Sequence, residues 1–329
     1  MVLRCAIVGA GAVGGVLAAA LAERTELSVL ARGTTLQALQ KDGWRIDGPD
    51  GKTQVLRVHA ADRADSLGPQ DLVVVTVKAH ALPEVAPIVM RLCRSHTRIL
   101  VAMNGIGWWF LSGLEGPLKG ASLDCIDPGG ALERAMPAQR VIGAVVHWSA
   151  SAIGPGRIRR TAGHRLIVGD ALGGVSPETS MLQATLADGG MQVDASPRIQ
   201  TDVWFKLWGN MTMNPLSALT RATCDRLLDD PLVTVLCHQV MREARDLGER
   251  LGLPIEQTPE ARCAVTRQLG AFKTSMLQDV EAGRPLEVEA LLGAVHEMAR
   301  RLGVAIPWTD ALYGLTRVLA ASAATPARA

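Results

Sequence analysis

Gly9-Ala10-Gly11-Ala12-Val13-Gly14 restricts what this chain can fold into more than any other stretch. It follows directly on the apolar run Val2–Val8, and Leu17–Arg24 beyond it carries apolar residues at helical spacing. The order is therefore strand, glycine turn, helix. GxGxxG alone is a weak signal, since glycines in an Ala-rich buried helix would also produce it. Between a strand and a helix its three glycines have separate mechanical uses. They permit a tight turn, close approach of the backbone to a pyrophosphate, and close packing of helix on strand. The helix N-terminus then meets the negative charge. Gly9, Ala10, Gly11, Ala12, Val13 and Gly14 are accordingly candidate cofactor contacts.

The next strands end on polar residues where such a fold binds ligands, at the carboxyl edge of the sheet. Leu27–Ala31 runs into Arg32. An acidic residue there would accept from a free ribose 2′-hydroxyl, whereas the guanidinium offers a fork of donors to a 2′-phosphate. NADP(H) is thus expected over NAD(H), the competing reading being an ordinary surface arginine. Asp71–Val77 is apolar enough to be a central parallel strand covered on both faces, and it ends in Lys78. Arg98–Met103 is another such strand and ends in Asn104-Gly105. Between these elements, Trp44–Asp47 and Gln54–Val58 alternate about Gly48-Pro49-Asp50-Gly51, a hairpin pattern. Trp108-Trp109-Phe110 reads as core or interface that also borders the expected crevice, and the Gly- and Pro-rich 112–140 is a candidate flap. Val141–His147, Arg157–Thr161, Arg165–Val168 and Met191–Val193 complete the strand-like runs.

From Ser196 onward the pattern changes. Ser196-Pro197 is a helix start, a capping oxygen followed by a ring with helical φ. At 3.6 residues per turn Asp202, Lys206, Asn210 and Asn214 form one row, and apolar residues fill nearly every other direction. That predicts a largely buried helix with a single polar seam; the bland alternative is a surface ridge with an Asp–Lys pair. Further helices are expected from Pro231 to Gly252, from Pro259 to Gly270, around Ser275–Asp279, from Pro285 to Gly303, and after Pro307. The domains read as 1–196, an α/β dinucleotide-binding domain; 197–320, an all-α substrate domain; and 321–329, a frayed tail.

The bulk numbers exclude several classes. Formal charge is +2 over 329 residues, and no Lys/Arg run exceeds two, so neither nucleic acid nor a membrane surface is an expected partner. No eighteen-residue apolar span offers a membrane helix. The six cysteines and seven histidines are scattered without metal-ligand spacing. They read as reduced thiols of a cytoplasmic protein without a bound metal. Aromatic residues of the helical half are a candidate homodimer face.

Gly9/Gly11/Gly14, Arg32, Lys78, Asn104-Gly105, Lys206-x-x-x-Asn210-x-x-x-Asn214-Pro215, Ser275-Met-Leu-Gln-Asp279 followed by Glu287, and Gly303-Val-Ala-Ile-Pro307 together resemble the ketopantoate reductase (2-dehydropantoate 2-reductase) family over essentially the whole chain. The resemblance implies a Rossmann-type NADP-binding domain followed by a helical domain, with NADPH-dependent reduction of a small 2-oxo acid in the cleft between them. Ketopantoate is the leading substrate and pantothenate biosynthesis the leading context. It implies that Gly9–Gly14, Arg32, Lys78 and Asn104 hold the cofactor. Lys206 is implied as proton donor, with Asn104, Asn210, Asn214 and Ser275 on the substrate. Glu287 would sit against Lys206 and the nicotinamide ribose. Phe272 and Cys224 stand where the family pattern has substrate-side asparagines. Two alternatives follow, a reductase of a bulkier 2-oxo acid and a non-catalytic NADP-binding sensor.

Overall fold

The computed structural model describes residues 2–324, which divide into two compact units. The first comprises the described chain up to Asn104 together with Gly130–Asp202. The second comprises Gly105–Gly129 and the described chain from Val203.

The first unit is built on β1 (Leu3–Val8), β2 (Thr25–Leu30), β3 (Trp44–Asp47), β4 (Thr53–Leu56), β5 (His59–Ala61), β6 (Gln70–Val75), β7 (Cys93–Val101), β8 (Val141–Gly154), β9 (Arg157–Asp170) and β10 (Gln192–Ala195). Its helices are α1 (Ala12–Leu21), α2 (Gly33–Asp42), α3 (Ala64–Leu67), α4 (Leu82–Leu92), α5 (Ala131–Ala135) and α6 (Pro177–Asp188). The strands form one sheet in the order β4-β3-β9-β8-β7-β6-β1-β2-β5, with β10 beside β9. From β5 through β2, β1, β6 and β7 to β8 every pairing is parallel. The chain begins in the middle with β1, adds β2, crosses to the far edge for β3 and β4, comes back to β5 beside β2, and then takes the other side of β1 with β6. That reversal creates a crevice at the carboxyl ends of β1 and β6. These two strands can be apolar on both faces because the sheet is covered on both. Cys5, Ile7, Leu72 and Val74 join Leu17 and Leu21 of α1 in one core.

The expected hairpin is present as β3–β4, pairing Trp44 with Leu56. β8 and β9 form a second, longer antiparallel pair, joining runs that read as separate in the sequence. Arg157 and Arg159 lie on its exposed face and pair with Asp47 at 3.5 and 3.9 Å.

α7 (Ile199–Thr220) leads into the second unit. It is followed by α8 (Cys224–Asp229), α9 (Pro231–Arg250), α10 (Pro259–Arg267), α11 (Ser275–Glu281), α12 (Ala294–Leu302) and α13 (Pro307–Ala324). Asp230, Thr258 and Thr274 cap α9, α10 and α11 with side-chain oxygens that accept from backbone N–H groups. α13 continues to Ala324, so 321–324, expected as frayed tail, are helical; the rest of that expected tail, 325–329, lies outside the described residues.

The stretch expected as a flap is built in instead, at least up to Gly129. Within it Leu114, Leu118 and Leu123 are buried; Trp108, Trp109 and Phe110, just ahead of it, are buried too, as their reading as core or interface expects. The buried carboxylate of Glu297 accepts from the N–H groups of Asp124 and Cys125, both at 3.0 Å. Among the described residues no helix is long and apolar enough to cross a membrane, and no group of three or more His, Cys, Asp or Glu could hold a metal ion.

Candidate active site

In the first unit the fingerprint occupies the β1–α1 turn at the crevice. Gly9 has φ +119°, and a Cβ on it would lie 2.8 Å from Thr76 Oγ1. At Gly14 a Cβ would lie 2.2 Å from the Gly9 carbonyl oxygen. Gly11 by contrast faces open space, with nothing within 4 Å of a Cβ. α1 begins with Gly11 as N-cap and has no side chain bonded across its first N–H groups. The turn thus offers uncapped N–H donors, in agreement with a bound pyrophosphate. Thr76 stitches it to the end of β6. Its Oγ1 donates to the Gly9 carbonyl at 2.7 Å and its N–H to that of Val8 at 2.9 Å. Nothing in the sequence marked Thr76, because its role comes from β1 and β6 being neighbours.

Arg32, one residue beyond Ala31, is exposed and is the N-cap residue of α2. Lys78 is half-buried and precedes a short 3-10 turn, Ala79–Ala81. Asn104 is half-buried three residues past β7.

In the second unit, α7 has the character its pattern predicts. Val203, Trp204, Leu207, Trp208, Met211 and Met213 are buried, and Trp208 Nε1 donates to the Met241 carbonyl at 2.8 Å. Ser196 donates to Asp202 at 2.5 Å and accepts from the Arg198 N–H at 3.2 Å, although the helix itself starts at Ile199. Along the seam, Lys206 and Asn210 are half-buried and Asn214 is 5% exposed. Among the described residues neither asparagine amide has a hydrogen-bond partner, and neither is sealed from water. Their donors and acceptors are therefore open to water or to a ligand. Protein packed closely around the Lys206 ammonium strips it of water and lowers its pKa to about 8, and the nearby Glu287 carboxylate opposes the shift.

Glu287 stands just ahead of a helix that starts at Val288, not at Pro285 as expected. Its carbonyl accepts from the Leu291 N–H at 3.3 Å. The first turn, Glu289–Gly293, is a π-helix, with the Ala294 N–H bonding back to Glu289. The Ala290 carbonyl is thereby available to the Ile106 N–H, which donates to it at 2.8 Å. Gly105, with φ +80°, lies against the same carbonyl; a Cβ there would be 2.4 Å from the oxygen. Ser275 is the exposed first residue of α11, and its hydroxyl has no hydrogen-bond partner among the described residues.

The family model described as "Ketopantoate reductase PanE/ApbA" matches residues 5–173, and its C-terminal counterpart matches 198–320. This chain belongs to the ketopantoate reductase family. It is an oxidoreductase of that type, with a Rossmann-like first part and a helical second part. The 2-dehydropantoate 2-reductase of Mesorhizobium japonicum is 40% identical over 97% of this chain and 98% of its own. The crystal structure of a candidate ketopantoate reductase from Ralstonia solanacearum MolK2 shares 50% identity, with TM-score 0.94 over 99% of this chain and 100% of that one. The 2-dehydropantoate 2-reductase structure from Methylococcus capsulatus shares 26% identity, with TM-score 0.85 over 99% of each chain. Cys224 and Phe272, the two departures from the family pattern, are adjacent in space. The Cys224 N–H donates to the Phe272 carbonyl at 3.0 Å. Trp108 and Trp109 are core residues of the second unit, 6% and 3% exposed.

Proposed function

We propose that this chain reduces 2-dehydropantoate to pantoate with NADPH, and that Lys206 gives the new hydroxyl its proton. The observation that carries this reading is an ammonium at about pKa 8 on a helix whose Asn210 and Asn214 amides lack protein partners. When bound, the dinucleotide supplies a hydride to the carbonyl carbon. Charge then builds on the carbonyl oxygen. Lys206 stabilises that charge and transfers a proton to it, leaving a neutral amine that solvent recharges. Glu287 keeps enough of the lysine protonated for this at neutral pH. Asn210 and Asn214 supply donors and acceptors to the acid, and Ser275 a further hydroxyl.

Gly9–Gly14, Arg32, Lys78 and Asn104 would hold the cofactor, with Asn104 also on the substrate. Residues 1–196, apart from 105–129, which pack in the second unit, then serve mainly the dinucleotide, and 197–320 the acid. Six free cysteines support a reducing cytoplasmic setting. Trp308, Leu315 and Val318, exposed on α13, support a homodimer.

The test is steady-state NADPH oxidation across a panel of 2-oxo acids, with ketopantoate expected to be fastest. A faster, bulkier apolar acid would favour the second reading, which rests on Phe272 and Cys224 standing side by side. Uniform silence with tight NADPH binding would leave only a sensor.

The pH dependence follows from the lysine. Its acid form is lost as pH rises through about 8, so the rate of reduction should fall above that point. Glu287→Gln removes the group that opposes the shift, so the basic limb of the profile should move to lower pH. A limb that stays in place would separate Glu287 from the proton transfer.

A further inference from the structure

Arg32 does not stand alone. Its Nη1 donates to Oε1 of Glu84, and both side chains are largely in water, 50% and 64% exposed. Among the described residues neither has another ion-pair partner. The pair joins two elements that the sheet brings together. Arg32 follows β2, and Glu84 lies in the first turn of α4, which follows β6; both strands flank β1. Guanidinium and carboxylate therefore meet at the sheet edge that carries Gly9–Gly14.

The two groups have opposite preferences for a dinucleotide. A guanidinium favours a ribose 2′-phosphate, and a carboxylate accepts from a free 2′-hydroxyl while repelling a phosphate. A 2′-phosphate that engages Arg32 must separate it from Glu84 or lie close to that carboxylate. A 2′-hydroxyl leaves the pair intact. We propose that Glu84 sets the coenzyme selectivity of this enzyme by competing with the 2′-phosphate for Arg32, so that the preference for NADPH over NADH is narrower than Arg32 alone would make it. The inference rests on the reading that the first unit holds NADP(H).

The size of the effect is bounded by the setting of the pair. Exposed ion pairs are weak and fade with salt. Glu84→Gln should tighten NADPH and 2′,5′-ADP by about two- to five-fold. NADH and 5′-ADP, which lack the phosphate, should bind as before. The measurement is direct binding by nucleotide fluorescence or calorimetry, without substrate. The gain should shrink in high salt, and it should be smaller in an Arg32→Gln background, because two groups in contact are not additive.

Tightening of all four ligands alike, or of none, would overturn the proposal. Weaker NADPH binding in Glu84→Gln would also overturn it, since Glu84 would then be orienting Arg32 rather than competing for it. The underlying reading fails differently, in the unmutated protein. If that protein binds NADH better than NADPH and Arg32→Gln changes neither, the premise is lost and the inference with it.

Discussion

Lys206→Met is expected to slow reduction of the 2-oxo acid by about two to four orders of magnitude, the range over which a positioned general acid acts. NADPH binding, measured directly, should change little, because the dinucleotide contacts assigned to the first unit do not include this side chain. Methionine is chosen because it fills much of the same volume without a charge. The ammonium in the native protein is already closely packed, so an apolar replacement relieves desolvation rather than opening a cavity. The variant also leaves the Glu287 carboxylate without its ammonium, so the urea midpoint is measured beside the parent's to check that the fold is kept. A slow but stable protein assigns the loss to the missing proton donor. A variant that keeps near-full turnover would remove Lys206 from the reaction. One that is slow because it has unfolded would show itself in the denaturation midpoint.

The features that carry this mechanism were legible because they are local. Glycine offsets, strand ends and a repeat of four residues are properties of short stretches, and each depends on backbone geometry that neighbours do not alter. The glycine turn, the buried β6 and the single seam of α7 could be read in this way. Four other features could not. Thr76 acquires its role only when β6 lies beside β1, so nothing in Val-Val-Val-Thr-Val singles it out. Glu84 looks like any acidic residue in the first turn of a helix until α4 brings it to Arg32. Pro285 is a good helix opener, yet the helix after Glu287 begins at Val288 and enters a π turn at once. A π turn inserts an extra residue that no periodicity announces. The flap expected over 112–140 fails for a related reason. Its glycines and prolines suggest mobility, while its buried Leu114, Leu118 and Leu123 and the bonds to Glu297 tie it down.

Gly105→Ala tests whether that π turn positions the residues beside it. The new methyl group would lie 2.4 Å from the Ala290 carbonyl oxygen, 2.7 Å from its carbon and 2.8 Å from Cβ of the same residue. Two of these atoms are helix backbone and cannot rotate aside. The φ of +80° adds strain that alanine resists by about 1–2 kcal/mol, and overpacking adds about 1–3 kcal/mol. The turn has one route of relief, which is to lift from Ala290 and give up the Ile106 bond. Asn104, one peptide bond away, would move with it. Displacements near 1 Å cost about 100-fold where a group must be held in a reactive geometry, so a loss of that order in kcat/KM is expected. Gly116→Ala is the matched control. That glycine lies in the same segment with φ +93°, but nothing stands within 4 Å of its Cβ position. It carries the backbone strain without the collision. If both variants lost stability alike and kept their activity, conformational strain alone would account for Gly105 and the Ala290 contact would have no part in the reaction. If only Gly105→Ala loses turnover, the carbonyl freed by the π turn is what holds the turn after Asn104 in its working position.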